Sequence, residues 1–372
     1  MPKAKNKLWI RFGFLISLAL AIYIWGLFPN AVLVAYSEGI YPIISNSIRW
    51  FSALFPFALG DILYALIIIY LLKLIIQFFW RIKSKGWQKS DKLNIPISII
   101  NAVLIFYISF NLFWGLNYSR PRINETLNIS NQPYQKEQLI ALHNFLLAQI
   151  KATNYNALSA TNQNFDISTL TEIAKQSLIS LSEKNQLFSY KFASVKPTLS
   201  GWLTSKMGVE GYYNPLSGEA NVNMLMPNHV LPYVVCHEIA HQLGVAKEDE
   251  ANLVGYLTSL NSDNVQFKYA AYYSMLKYLL FEIRIVYPDD YEKELAKVPA
   301  TVRMHFNDEQ IFWSKYNGAM SAYMSTAFDQ LLKLNRQEQG IKSYQEIVLW
   351  LVNYHQKELK ISESQQSESP KD

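Results

Sequence analysis

The chain has 372 residues, half of them hydrophobic and 14% aromatic, with a formal net charge of +5. Only 17% are charged, below the roughly 25% of an ordinary soluble domain, which excludes a wholly water-exposed globule and points to a membrane part. The single cysteine, Cys236, excludes an internal disulfide framework, and the basic excess clusters beside apolar segments, so it reads as an orientation signal and not as a nucleic-acid surface.

Lys3, Lys5, Lys7 and Arg11 precede a stretch without charge from Phe12 to Ser37. Residues 12–28 are long enough to span a bilayer, with Tyr23 and Trp25 toward the outer end. No small-x-small cleavage site follows Phe28, so an uncleaved span is expected in place of a signal peptide. Residues 29–55 read as an aromatic-rich loop. A second apolar run covers residues 56–80, interrupted by Asp61 and Lys73. The basic segment from Arg81 to Lys92 follows, then a third run over residues 95–116. Cytoplasmic loops are enriched in Lys and Arg, which keeps the N-terminus and this basic loop inside. Three spans then make residues 1–118 a membrane region and put everything after Tyr118 outside the cytoplasm.

Residues 119–133 read as a linker leaving the membrane. Residues 135–151 have helical periodicity, with Leu139, Leu142, Leu146 and Ile150 on one side and His143 as a surface or packed histidine. Residues 152–165 are a polar loop, and residues 168–183 a helix capped by Asp166 or Ser168. Asn-Pro and Ser-Gly within residues 211–219 signal turns, and residues 220–226 alternate as a strand. Helices are expected over about 251–260, 269–286, 308–334 and 343–360, with Gly340 and Ser343 marking the turn before the last, and residues 362–372 as a disordered tail.

The chain is organised around Cys236-His237-Glu238-Ile239-Ala240-His241-Gln242-Leu243-Gly244. Pro232 suits a helix start and Gly244 a stop, with apolar residues between. On that helix His237 and His241, four apart, share a face and both imidazoles reach one metal ion. Glu238 can then serve as general base to a metal-activated water, the arrangement of a zinc hydrolase. Lys247 holds the place where one class of such sites carries a third ligand. The acids just beyond it offer an alternative: at the start of a second helix, Glu248 and Asn252 share a face, Glu248 as ligand and Asn252 as hydrogen-bond acceptor for a ligand histidine. Glu250 is the alternative ligand, on the far side of that helix from Glu248.

The chain resembles domain-of-unknown-function family 3810, bacterial membrane proteins with a zinc-peptidase-like motif. The stretches that carry the resemblance are residues 114–118, 211–215, 218–223, 237–244, 248–252 and 339–344. More distantly, Glu248-Asp249-Glu250-Ala251-Asn252 is similar to the Glu-x-x-Ala-Asp run of gluzincin peptidases, which implies Glu248 as third ligand and Asn252 beside a ligand histidine. Two departures are Asn in place of Asp at 252 and a short gap from His241 to Glu248. In zinc peptidases an edge strand upstream of the metal helix pairs with substrate, which puts Asn221 and Asn223 at the substrate; an ordinary hairpin is the rival reading.

The expected fold is therefore mainly α: three transmembrane helices, then an α+β zincin-like domain over residues 119–361 with a small sheet. The expected activity is that of a membrane-anchored zinc metallopeptidase. It would sit in the bacterial inner membrane, N-terminus inside, its catalytic domain periplasmic, its partners the bilayer and a peptide or protein substrate. Tyr212, Tyr213, Tyr256, Tyr269 and His305 are candidate donors to the tetrahedral oxyanion. The rivals are a non-catalytic sensor or scaffold with a structural metal, and a metal-dependent amidase acting on cell-wall peptides.

Overall fold

The structure is a computed structural model and describes residues 2–153, 165–335 and 346–359. The expected turn at Gly340 and Ser343, the 339–344 stretch and the 362–372 tail lie outside them. The chain divides into two compact units, residues 1–121 with 214–219, and residues 122–213 with 220–372.

The first unit is built on α1 (Pro2–Trp25), α2 (Tyr41–Ala53), α3 (Leu59–Lys85) and α4 (Asp91–Phe113). Three stretches, Lys7–Trp25, Leu59–Lys85 and Asp91–Phe113, are long and apolar enough to cross a membrane. Each overlaps an expected span within a few residues. Residues 29–55 are not a loop. They form a short helix, a wide π-type turn over Leu33–Ile40, and α2. Periodicity is present in α2 but inverted: Ser45, Arg49 and Ser52 are buried while Ile43, Trp50 and Phe51 are exposed. A search for apolar stripes misses a helix whose polar stripe faces inward.

The turn at residues 214–219 is held within this unit. Asn214 Oδ1 accepts from the Leu216 amide at 3.0 Å, and Gly218 adopts φ 67°, a conformation glycine takes without strain. The buried Glu219 carboxylate accepts from the amides of Leu59 (3.0 Å) and Gly60 (2.6 Å). It thus satisfies the first orphan donors of α3 with a negative charge at the positive helix end.

The second unit contains α5 (Lys136–Ala152), α6 (Ile167–Ser182), a three-stranded sheet, and then α7 (Leu231–Gln242), α8 (Glu248–Leu260), α9 (Val265–Val286), α10 (Pro288–Ala296), α11 (Ala300–Tyr316), α12 (Ala319–Leu334) and α13 (Glu346–Tyr354). Asp166 caps α6 by accepting from the Thr169 amide at 2.7 Å. His143 on α5 is fully buried, its Nδ1 2.9 Å from Glu294, which also binds Lys297 at 2.8 Å. The expected helix over 308–334 is two, broken at Asn317-Gly318, because these residues leave helical geometry. α7 is buried nearly all round, as a central helix must be, and packs on α8, α9 and α6.

The strands are β1 (Val195–Pro197), β2 (Gly211–Asn214) and β3 (Glu219–Val222), in the order β1-β3-β2. β3 pairs in parallel with β1, Asn221 opposite Lys196. The expected strand over 220–226 is thus the central one and ends at Val222. β2, by contrast, is an edge.

Candidate metal centre

α7 begins with Pro232 in its first turn and stops where Gly244 takes φ 83°. The Val245 amide then returns to the Ala240 carbonyl at 3.1 Å, closing the last turn. Within α7 the four-residue spacing brings the rings of His237 and His241 to 4.9 Å between centroids. α8 starts at Glu248, so its first side chain meets both rings. Glu248 Oε2 lies 3.3 Å from His237 Nε2, and Oε1 lies 3.6 Å from His241 Nε2. One ligand atom from each of the three residues lies within 4.8 Å of the others. Two imidazoles and one carboxylate brought together in this way could hold a divalent metal ion.

Close approach of α7 and α8 is what permits this. A Cβ on Gly255 would stand 3.0 Å from the backbone of His237, so glycine lets the helices touch there. His241 is oriented by the Val245 carbonyl, 2.7 Å from its Nδ1. A carbonyl only accepts, so Nδ1 carries the proton and Nε2 presents the lone pair.

Asn252 does not take the role expected of it. Its Oδ1 accepts from Tyr233 (2.9 Å) and Tyr278 (3.3 Å). His237 Nδ1 and Asn252 Nδ2 are buried without a hydrogen-bond partner among the described residues. Glu250, the alternative ligand, points elsewhere: its carboxylate lies 3.6 Å from Arg122 and 4.0 Å from Lys247. Arg122 also binds Asp249 at 2.6 Å, contacts Glu346, and stacks 5.1 Å from the Trp350 ring centroid. The acids next to Glu248 therefore anchor α8 to Arg122 and leave Glu248 to the histidines.

Glu238 is buried against the edge strand. A Cβ on Gly211 of β2 would come within 2.7 Å of Glu238 Oε1, so glycine makes room for the carboxylate. Burial pushes the Glu238 pKa up to about 8, opposed by His237 and reinforced by Glu248 and Glu210. Burial alone would lower His237, but Glu248, Glu238 and Glu210 outweigh it and carry it up to about 9. Burial pulls His241 down to about 4 against Glu248. Glu248 would be raised by burial, yet His241 and His237 hold it below the usual carboxylate range.

The remaining expectations divide. Asn221 and Asn223 are fully buried, and Asn223 is spent on Ser205 (2.8 Å) and the Leu225 amide (3.2 Å), so neither lines a substrate groove. β1 and β2 are the two outer strands of the sheet, and on β2 Tyr212 and Tyr213 are half-buried. Tyr256 is bonded to His355 at 2.8 Å, and Tyr269 to His305 at 2.6 Å, inside a core where His305 stacks on His229. Two residues were not anticipated. Tyr278 on α9 reaches the centre through Asn252; burial, then Glu210 and Glu248, hold its phenol protonated well above the ordinary value. Glu210, at the head of β2, is raised by burial and feels Lys277, Glu309 and His237 in turn. No local pattern marks either, because both arrive by tertiary packing.

These side chains define a candidate metal centre of the His-Glu-x-x-His type with a carboxylate third ligand. The chain belongs to the family described as protein of unknown function (DUF3810), which matches over residues 36–352. No curated protein matches it, and no solved structure does.

Proposed function

We propose that this protein is a membrane-anchored, zinc-dependent metallopeptidase. The observation that carries the reading is the convergence of His237, His241 and Glu248 beside a buried acid, Glu238, that is not needed as a ligand. A purely structural metal site is usually closed by four protein ligands and needs no such acid. A divalent ion bound there would polarise a carbonyl and acidify a water. Glu238 would take a proton from the attacking water at its carboxylate and pass it to the leaving amine. Tyr278, whose hydroxyl donates to Asn252, would have to release that bond to donate toward the carbonyl oxygen as negative charge develops. β2, the outer strand beside Glu238, would align an extended peptide by backbone hydrogen bonds.

The basic residues before the first span and between the second and third support a topology with the N-terminus inside. Under it the second unit works on the outer, periplasmic side of a bacterial inner membrane.

The test is cleavage of a peptide library by the zinc-replete full chain in detergent. Wild type should cleave, while Glu238→Gln should retain zinc and lose at least about a hundredfold in rate. Equal rates for the two would contradict the role of Glu238.

A further inference from the structure

A cavity of about 300 Å³ opens between α9, α10 and α11. That is the low end of the roughly 300–1,000 Å³ range of small-molecule sites, enough for one or two residues of a peptide. α9 connects it to the metal centre. Lys277 lines the cavity, and its neighbour Tyr278 hydrogen-bonds Asn252 one turn from Glu248. Lys277, Leu280 and Arg284 fall at positions i, i+3 and i+7, one face of the helix.

The walls are apolar, from Leu280, Leu295 and Phe306, and the charge at the rim is positive. Glu309 also lines the cavity, but its side chain is 6% exposed against 39% for Lys277, whose Nζ covers it at 2.5 Å. Behind, Glu309 accepts from Tyr273 and lies 3.6 Å from His229 Nε2. Lys277 and Glu309 thus offset each other, which leaves Arg284 as the cation at the rim. Arg284 is exposed, with its guanidinium 5.7 Å from the Tyr291 ring centroid; among the described residues it meets no carboxylate. An ammonium group entering here would meet the like charge of Arg284. A carboxylate on an apolar body would meet a guanidinium suited to bidentate pairing and walls suited to its side chain.

We propose that this cavity is a substrate subsite for a carboxylate carried on an apolar residue, such as the free C-terminus of an apolar peptide, an inference that rests on the peptidase reading above. Selection would come from Arg284 at the rim, and Leu280, Leu295 and Phe306 would hold the side chain.

The experiment measures binding without turnover. The full-length, zinc-replete Glu238→Gln variant in detergent is titrated into a dye-labelled tripeptide ending in leucine-phenylalanine, as free acid and as C-terminal amide. The free acid should bind about tenfold more tightly than the amide. Arg284→Glu should abolish that difference with zinc content unchanged, and Leu280→Trp, which fills the cavity, should weaken the acid. Equal binding of acid and amide, no binding of either, or a preference that survives Arg284→Glu would overturn the subsite. The same peptides given to wild type separate the two claims. Selective binding without cleavage would sink the peptidase reading and leave the subsite; cleavage indifferent to the terminus would do the reverse.

Discussion

The two units solve opposite solvent problems with the same residues. In the first, Leu66, Ile67, Ile68, Ile69 and Leu72 of α3 are all exposed, while Ser45, Arg49 and Ser52 of α2 are buried. In the second, Leu139, Leu142 and Leu146 are buried. Apolar surface turned outward is stable where the surroundings are hydrocarbon, and costly in water. The lesson concerns buried polar groups. In the second unit, where water drives apolar residues inward, His237, Glu238, His241, Glu248 and Asn252 stay in the interior against that tendency, and a buried polar cluster must be partnered or functional.

The contrast is broken most strongly at the ligands. Glu248→Gln should lower zinc affinity by about a hundredfold or more, measured by competition with a chelator, whereas Glu250→Gln should leave it near wild type. Next is packing. Leu142→Ala in the second unit should cost about 2–5 kcal/mol, read from thermal unfolding of the full chain in detergent. Ile68→Ala on α3, facing outward, should cost less than about 1 kcal/mol. Equal losses would remove the distinction between the two solvents. Gly255→Ala sharpens the same point at the centre: a methyl 3.0 Å from the His237 backbone should destabilise by about 1–3 kcal/mol and weaken zinc binding.

A smaller effect depends on pH. Burial alone would raise Glu309, but His229, Lys277 and Tyr273 outweigh it and hold its pKa at about 2. A carboxyl lowered in the folded state stabilises the fold above its unfolded value, and that contribution fades as pH falls toward 2. The stability gap between wild type and Glu309→Gln should be on the order of 2 kcal/mol at pH 7 and shrink on acidification below about pH 4.5. A gap independent of pH would deny that the carboxylate is ionised and partnered.

What could be read in the chain follows the range of the forces involved. The long apolar helices, the helix carrying His237 and His241, and the acid Glu248 that follows it declare themselves locally, through runs of apolar residues and a four-residue spacing. α2 stayed hidden because its buried stripe is polar. The order of the strands also stayed hidden: residues 220–226 alternate whether they form the edge or the middle, and only the arrival of β1 on the far side makes β3 central. Asn221 lies on that central strand, and Asn223 lies just past its end, bonded to Ser205 and the Leu225 amide. Tyr278 lies 30 residues from Glu248 in sequence and joins the centre only because α9 folds back on α8. Asn252 lies beside the cluster, and its Oδ1 accepts from two tyrosine hydroxyls, contacts that no local pattern announces.

The most direct test of the central claim is the zinc content of the purified full chain by elemental analysis, after metal-replete preparation and removal of loosely bound ions. About one zinc per chain in wild type and Glu238→Gln, with loss in Glu248→Gln, is the expected result. Wild type without bound zinc would contradict the account and leave the cluster of His237, His241 and Glu248 as a buried ion-pair network.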